Sequence, residues 1–168
     1  MDQEKLLNIC RKCKATCCKL GGTDFTKKEM QRIVNAGHKI KFKKINENHY
    51  EFKTNKKAEC LYLKNDACTI YNERPSACRC WPVEYPDFEG KKKRFTLVYC
   101  PLTPYLSKEY IQQLKKIANK IPRKLGEDEK GIKDKKYEEM APCIRRLPTK
   151  KRERVIKKYN KFKLKELK

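Results

Sequence analysis

Acidic residues, glycine and histidine are all scarce in this chain: 21 Asp and Glu stand against 44 Lys and Arg, with six Gly and two His. The shortage of negative charge leaves a formal net charge of +23. A surface of that sign excludes attraction to cationic partners and favours RNA, DNA, anionic lipid or acidic protein. No glycine-rich loop follows a strand and opens a helix, so nothing reads as a cofactor site of the kind that methyl transfer would need. No apolar run reaches the length of a membrane span. The N-terminus, Met1-Asp2-Gln3-Glu4-Lys5, has no basic stretch leading into an apolar segment of secretory length. The expectation is a cytoplasmic protein whose thiols are kept reduced.

What is abundant is cysteine, ten residues in a chain of 168, alongside 39% charged and only 38% hydrophobic residues. So polar a chain builds a modest apolar core, and disulfides or metal would have to supplement it. A reducing compartment argues for metal. Disulfides remain the alternative for an intracellular protein of a hyperthermophile, which the Lys/Glu/Ile-rich, glycine-poor composition allows.

Local patterns outline an α+β chain. Residues 3–9 carry Leu6, Leu7 and Ile9 and suit a short helix. Thr26 and Glu29 have capping-box spacing, with Phe25 and Met30 placed as a hydrophobic staple, Ile33 and Val34 on the same face, and Gly37 as a stop. Lys39 to Lys43 alternates strictly and is followed by Asn46-Glu47-Asn48 and Tyr50-Glu51-Phe52. That is a hairpin with Ile40, Phe42, Tyr50 and Phe52 on its buried face. A second hairpin runs from Leu61-Tyr62-Leu63 through Asn65-Asp66 to Thr69-Ile70-Tyr71. Three prolines between Glu73 and Pro86 predict irregular backbone, and Arg94 to Tyr99 predicts a strand. Ser107 caps a helix carrying Tyr110, Ile111, Leu114, Ile117, Ala118 and Ile121, stopped by Pro122. Residues 123–136 form a charged connection, and Thr149 caps a last helix with Val155, Ile156, Tyr159 and Phe162. The expected architecture is a small cysteine-rich, metal-centred domain with short hairpins and helices over residues 4–105, followed by a basic helical extension over 106–168.

The cysteines fall into two groups. Cys10, Cys13, Cys17 and Cys18 lie within nine residues; Cys60, Cys68, Cys78 and Cys100 answer them, with Cys80 close behind Cys78. A C-x2-C pair lets two thiolates converge on one ion while the intervening amides donate to sulfur. Zinc and a 4Fe–4S cube each take four protein ligands. Eight thiols therefore mean two centres, or one centre with spare cysteines. Adjacent Cys17 and Cys18 start in different directions, so they serve different centres or one of them packs. No Asp or His stands at ligand spacing, so the donor set is all sulfur. That disfavours a catalytic zinc, whose sites usually include histidine or carboxylate ligands. Cys-Pro at 100–101, as after a cluster cysteine in bacterial ferredoxins, tips the choice slightly towards iron–sulfur over zinc.

The motif Cys10-x2-Cys13-x3-Cys17-Cys18, then Cys60-Leu-Tyr-Leu, then Cys68-Thr-Ile-Tyr71-Asn-Glu-Arg74-Pro75-Ser-Ala-Cys78-Arg79 with Pro82, resembles the YkgJ-type cysteine-cluster family. That family is described as zinc- or iron-chelating and includes the flagellin lysine methylases. The resemblance covers about residues 10–100. It implies metal binding by Cys10, Cys13, Cys17, Cys18, Cys60, Cys68, Cys78 and Cys100, and it implies a reaction only weakly. Cys80 departs from the family's usual apolar residue and reads as a packing substitution, and Cys143 as a lone thiol. Arg74 and Arg79 are placed to neutralise a thiolate centre or to hold a turn.

From Ile144 onward, twelve Lys and Arg against two Glu give a net of +10. Phosphate contact without base selectivity is one reading, and a solvated helical face is the other. Three function classes follow. The first is a structural or redox metal protein (iron–sulfur or zinc) with a basic surface for RNA or an acidic protein. The second, by resemblance, is an S-adenosylmethionine-dependent protein-lysine methyltransferase. The third is an RNA- or DNA-binding protein with a structural metal.

Overall fold

The computed structural model describes residues 3–84, 87–89, 92–121, 150–151, 153–154, 157 and 163–167. It is α+β, built from short helices and antiparallel ladders. Helix α1 (Gln3–Lys12) begins at the expected place and runs on past Cys10. Glu4 in its first turn and Arg11 and Lys12 in its last complement the helix dipole. Lys14 and Ala15 then take positive φ, turning the chain into a 3-10 turn over Thr16–Lys19.

The first sheet has the order β1-β3-β2, from β1 (Asp24–Thr26), β2 (Phe42–Lys44) and β3 (His49–Phe52). Register pairs Phe25 with Tyr50 and Phe42 with Phe52, so four aromatic rings share one face. Phe25 is fully buried, its ring centroid 4.5 Å from that of Phe52 and 5.6 Å from that of Phe42. Ile33, Cys60, Tyr62 and Ile70 complete this core, with Cys18, Cys68 and Cys78 packed against it. The opposite face carries Asp24, His49 and Glu51, all buried. Asp24 Oδ1 lies 2.7 Å from His49 Nε2 and Lys43 Nζ 3.4 Å from Glu51. Gly22 enters this sheet so tightly that a Cβ there would stand 2.5 Å from the Phe52 carbonyl oxygen.

Helix α2 (Lys27–Asn35) has the predicted capping box. Thr26 Oγ1 accepts from the Glu29 amide and the Glu29 carboxylate accepts from the Thr26 amide. Met30 packs against the core that contains Phe25. The helix ends in a Schellman motif: Gly37, at φ 76°, donates to the Val34 carbonyl and His38 to that of Ile33.

The first predicted hairpin forms, with one correction. Ile40 is 66% exposed, because the ladder starts only at Phe42 and residue 40 precedes the pleat that would have turned it inward. The second hairpin is shorter and closer to its turn than expected, β4 (Leu63–Lys64) against β5 (Ala67–Cys68). Asn65 and Asp66 both have positive φ, the type I′ geometry that these residues tolerate and that matches strand twist. The proline-rich stretch is not wholly irregular either. Pro75 pre-sets the entry to a single helical turn, α3 (Ser76–Arg79), and its carbonyl accepts from the amides of Cys78 and Arg79.

Strand β7 (Lys92–Tyr99) pairs with β6 (Asp87–Glu89) on one side and β8 (Lys163–Leu167) on the other. The sequence predicts a last helix after Thr149 in the basic extension. Lys150, Lys151, Glu153, Arg154 and Lys157 do have helical backbone. Lys163-Leu164-Lys165 instead alternates with the period of a strand and completes the ladder on β7. Helix α4 (Lys108–Asn119) is capped by Ser107, whose hydroxyl accepts from the Tyr110 amide. Its Leu114 and Ala118 pack with Cys80, Val83 and Leu97 into a second core. The 123–136 connection, Cys143, the Thr149 cap and the apolar positions 155, 156, 159 and 162 lie outside the described residues.

Candidate metal centre

Six parts of the chain deliver the cysteines. Cys10 lies in the last turn of α1, and Cys13 follows that helix with its thiol donating to the Cys10 carbonyl at 3.2 Å. Cys17 and Cys18 sit on the 3-10 turn. Cys60 is drawn in by its own amide, which donates to the Cys18 carbonyl at 2.9 Å. Cys68 closes β5 and Cys78 lies in α3. Cys100 follows β7, its amide donating to Thr103 Oγ1 at 3.0 Å.

All eight belong to one electrostatic neighbourhood. Cys10 feels Cys13, Cys17 and Cys100. Cys18 hydrogen-bonds through its thiol to both Cys17 and Cys68. Cys60 feels Cys68 and Cys17, and Cys78 feels Cys68, Cys60 and Cys17. Among the described residues, no three ligand side chains stand together at the spacing of a preformed single-ion site. All nine cysteines among the described residues are free thiols, so the disulfide alternative falls away for them.

Burial and crowding make ionisation harder for five of these thiols, Cys10, Cys18, Cys60, Cys78 and Cys100. Burial first, and then Cys17 and Cys13, push Cys10 up to about 12. Burial pushes Cys60 to about 12 as well and raises Cys78 and Cys100. Hydrogen bonding to Cys17 and Cys68, with burial, raises Cys18. Cys17 is lowered by its hydrogen bond with Cys18. Cys68 falls to about 7, chiefly through the Cys18 thiol, with help from the Ile70 amide and Arg74. A bound cation reverses this balance, since a coordinated thiol is deprotonated outright.

The surroundings are arranged for thiolates. The amide two residues on donates to sulfur at three positions: Tyr62 to Cys60, Ile70 to Cys68 and Leu102 to Cys100. Arg74 acts on Cys10, Cys17, Cys68 and Cys78 as a positive charge. Its guanidinium lies 3.4 Å from the Tyr71 ring centroid, and its Nε donates to the Tyr71 carbonyl at 2.7 Å. Helix α2 clamps this loop. Glu29 Oε1 accepts from the Ser76 amide at 2.7 Å, Arg32 donates to the carbonyls of Glu73 and Arg74, and His38 meets the Glu73 carboxylate at 2.9 Å. An all-sulfur donor set with amide donors and a nearby guanidinium fits zinc or an iron–sulfur cluster.

Comparison with known proteins agrees with that chemistry. The sequence profile of the CxxCxxCC family, described as a zinc- or iron-chelating domain, matches residues 9–115, more than half of the chain. The chain belongs to this family. Metal chelation is therefore its coarse function, and the matched region runs from just before Cys10 past Cys100 into α4. No curated protein and no solved structure matches the chain.

Two cysteines stand apart. Cys80 is 1% exposed in the second core, donates to the Ala77 carbonyl at 3.4 Å, and is pushed to about 12 by burial. None of the eight thiols is among the groups that act on it, which agrees with the packing reading. Cys143 lies outside the described residues. The sequence reading missed the second role of Glu29 and the loop-holding role of Arg32, although their spacing on one face of α2 was a usable signal. It also missed the buried Asp24–His49 pair, for which an isolated Asp and His, 25 positions apart, gave no cue.

Proposed function

We propose that this protein holds a cysteine-ligated metal centre through Cys10, Cys13, Cys17, Cys18, Cys60, Cys68, Cys78 and Cys100, with iron–sulfur favoured over zinc and a structural or redox role. The observation that carries the reading is the electrostatic neighbourhood shared by eight thiols from six parts of the chain, partly buried and supplied with amide donors. The preference for iron–sulfur rests on the Cys100-Pro101 step alone, since the all-sulfur donor set and the amide donors suit both metals. When bound, a cluster would supply one-electron chemistry, while zinc would supply folding energy alone. The chain's own residues hold the thiols in register, screen them from water and set Arg74 against them.

A basic surface for RNA or an acidic protein belongs to the same proposal. Arg154 donates to the Lys56 carbonyl at 3.0 Å, which ties the basic extension to the cysteine-bearing part. No observation among the described residues favours methyl transfer over metal binding. Anaerobic purification with elemental analysis and visible spectroscopy tests the reading. Broad visible absorption with iron and sulfide supports it; zinc in a colourless protein removes the redox role; a metal-free folded protein ends it.

A further inference from the structure

Lys56 and Arg154, 98 positions apart, meet at the surface, where the guanidinium donates to the Lys56 carbonyl at 3.0 Å. The bond runs to backbone and not to a carboxylate, so it sets two cationic segments side by side. One is the turn over residues 55–59. Asn55 Oδ1 accepts from the Lys57 and Glu59 amides at 2.8 and 3.0 Å, and the Ala58 amide donates to the Asn55 carbonyl. Those bonds fix the turn and leave Lys56 and Lys57 exposed at its tip. The other segment is the helical stretch carrying Lys150, Arg154 and Lys157, all three exposed. At 3.6 residues per turn they fall within about 60° of one another around the axis. Glu153, also exposed, stands at the margin of that face.

Like charges held together repel, and none of the ion pairs among the described residues involves Arg154. A polyanion laid across the patch would offset that repulsion, and the make-up of the patch favours one kind. Protein–protein interfaces centre on aromatic or apolar anchors and are poor in lysine. Interfaces with nucleic acid are far more positive and are built largely on phosphate contacts. Here four lysines and an arginine stand together, with no apolar anchor among them. We infer that the Lys56-Lys57 turn and the face bearing Lys150, Arg154 and Lys157 form one composite surface that grips the phosphodiester backbone of a nucleic acid. It rests on the basic-surface part of the proposal above and narrows that part to phosphate contact at five named side chains.

Dimensions and donors fit that partner. At about 1.5 Å per residue, Lys150 and Lys157 are about 10 Å apart along the helix axis, room for about three phosphates of one strand. Arg154 is the pivot. Its bond to the Lys56 carbonyl uses one of five N–H donors and holds the guanidinium in place, leaving the others for phosphate oxygens. None of the five side chains is aromatic, so the patch offers no platform for stacking bases. Contact falls on the backbone, which single strands and duplexes share.

The test is fluorescence anisotropy of labelled oligo-uridine and of a labelled DNA duplex with the anaerobically purified full chain, over a range of salt. The expected result is binding that weakens steeply with salt, by about 0.7 in log–log slope for each phosphate contact on the single strand. Lys56→Gln with Lys57→Gln should take about 1.4 from that slope, and Lys150→Gln with Arg154→Gln and Lys157→Gln about 2. Lys27→Gln with Lys28→Gln, an exposed pair on α2, removes as much charge as the turn pair and should leave the slope unchanged. Salt-steep binding to either probe, weakened in the patch variants alone, supports the surface, and the tighter probe tells which form it prefers. An equal loss in the α2 pair overturns the composite surface while leaving a generally basic protein. Capture of polyglutamate without nucleic acid overturns the nucleic-acid partner and leaves the acidic-protein half of the earlier reading standing. Binding of neither polyanion overturns both. If the helix triple variant no longer melts cooperatively, Lys150→Gln with Lys157→Gln replaces it, keeps the Arg154 bond, and should take about 1.4 from the slope.

Discussion

Arg74 shows how one side chain can serve a centre it does not ligate. Stacking on Tyr71 and the bond from Nε to the Tyr71 carbonyl hold its guanidinium in place, so its charge is delivered without much mobility to lose. Arg74→Gln should weaken metal retention about 10- to 100-fold in a chelator competition, the usual cost of losing a partner beyond the ligands. Arg74→Lys keeps the charge but not the fork or the stack, and should fall between. Cys80 makes the opposite case. It is a buried thiol remote from the eight, packed with Val83, Leu97, Leu114 and Ala118. Cys80→Ala should leave the metal content unchanged and lower stability by about 1 kcal/mol, from lost contacts and a small cavity. Metal analysis and a thermal melt check the two halves of that statement.

At the scale of the element, α2 is the strut that fixes the loop bearing Cys78. Glu29 closes its own capping box and also receives the Ser76 amide at the start of α3. Burial opposes its ionisation, but the hydrogen bonds from Thr26 and Ser76 prevail and hold the carboxyl below its ordinary value near 4.5. A carboxyl depressed by folding stabilises the native state above its unfolded value, and that contribution fades as pH falls through the lower folded value. Acid titration of stability should therefore steepen below about pH 4.5, and Glu29→Gln should flatten that part of the curve. The capping box and the Gly37 stop were legible in the sequence because each is a local pattern enforced by local hydrogen bonds. Phe42, Tyr50 and Phe52 were legible for the same reason, through period-two alternation. What was not legible depends on partners far along the chain. Ile40 is exposed because the ladder begins two residues later, β1 exists because Phe25 finds Tyr50, and β8 exists because β7 offers it an edge. The eight candidate cysteines stand out by their spacing, but how they are grouped depends on the fold and not on any local pattern.

Over the whole molecule, two small apolar cores lie at separate places in the chain, one under the β1-β3-β2 sheet and one under α4. Cys18, Cys68 and Cys78 pack against the first core, while Cys100 directly follows the strand that carries Leu97 of the second. Stripping the metal should therefore do more than empty a site. Chelation should lower the melting temperature and speed amide exchange in α1 (Gln3–Lys12), where Leu6 is the one buried side chain among the described residues, more than in the aromatic sheet. Equal loss of protection everywhere would count against that ordering. The neighbouring positions of Cys17 and Cys18 carry a last consequence. A single peptide unit joins them, so a metal held through either residue also fixes the backbone that presents the other. Partly ligated chains should then be rare during titration, with empty and fully loaded molecules dominating the population throughout.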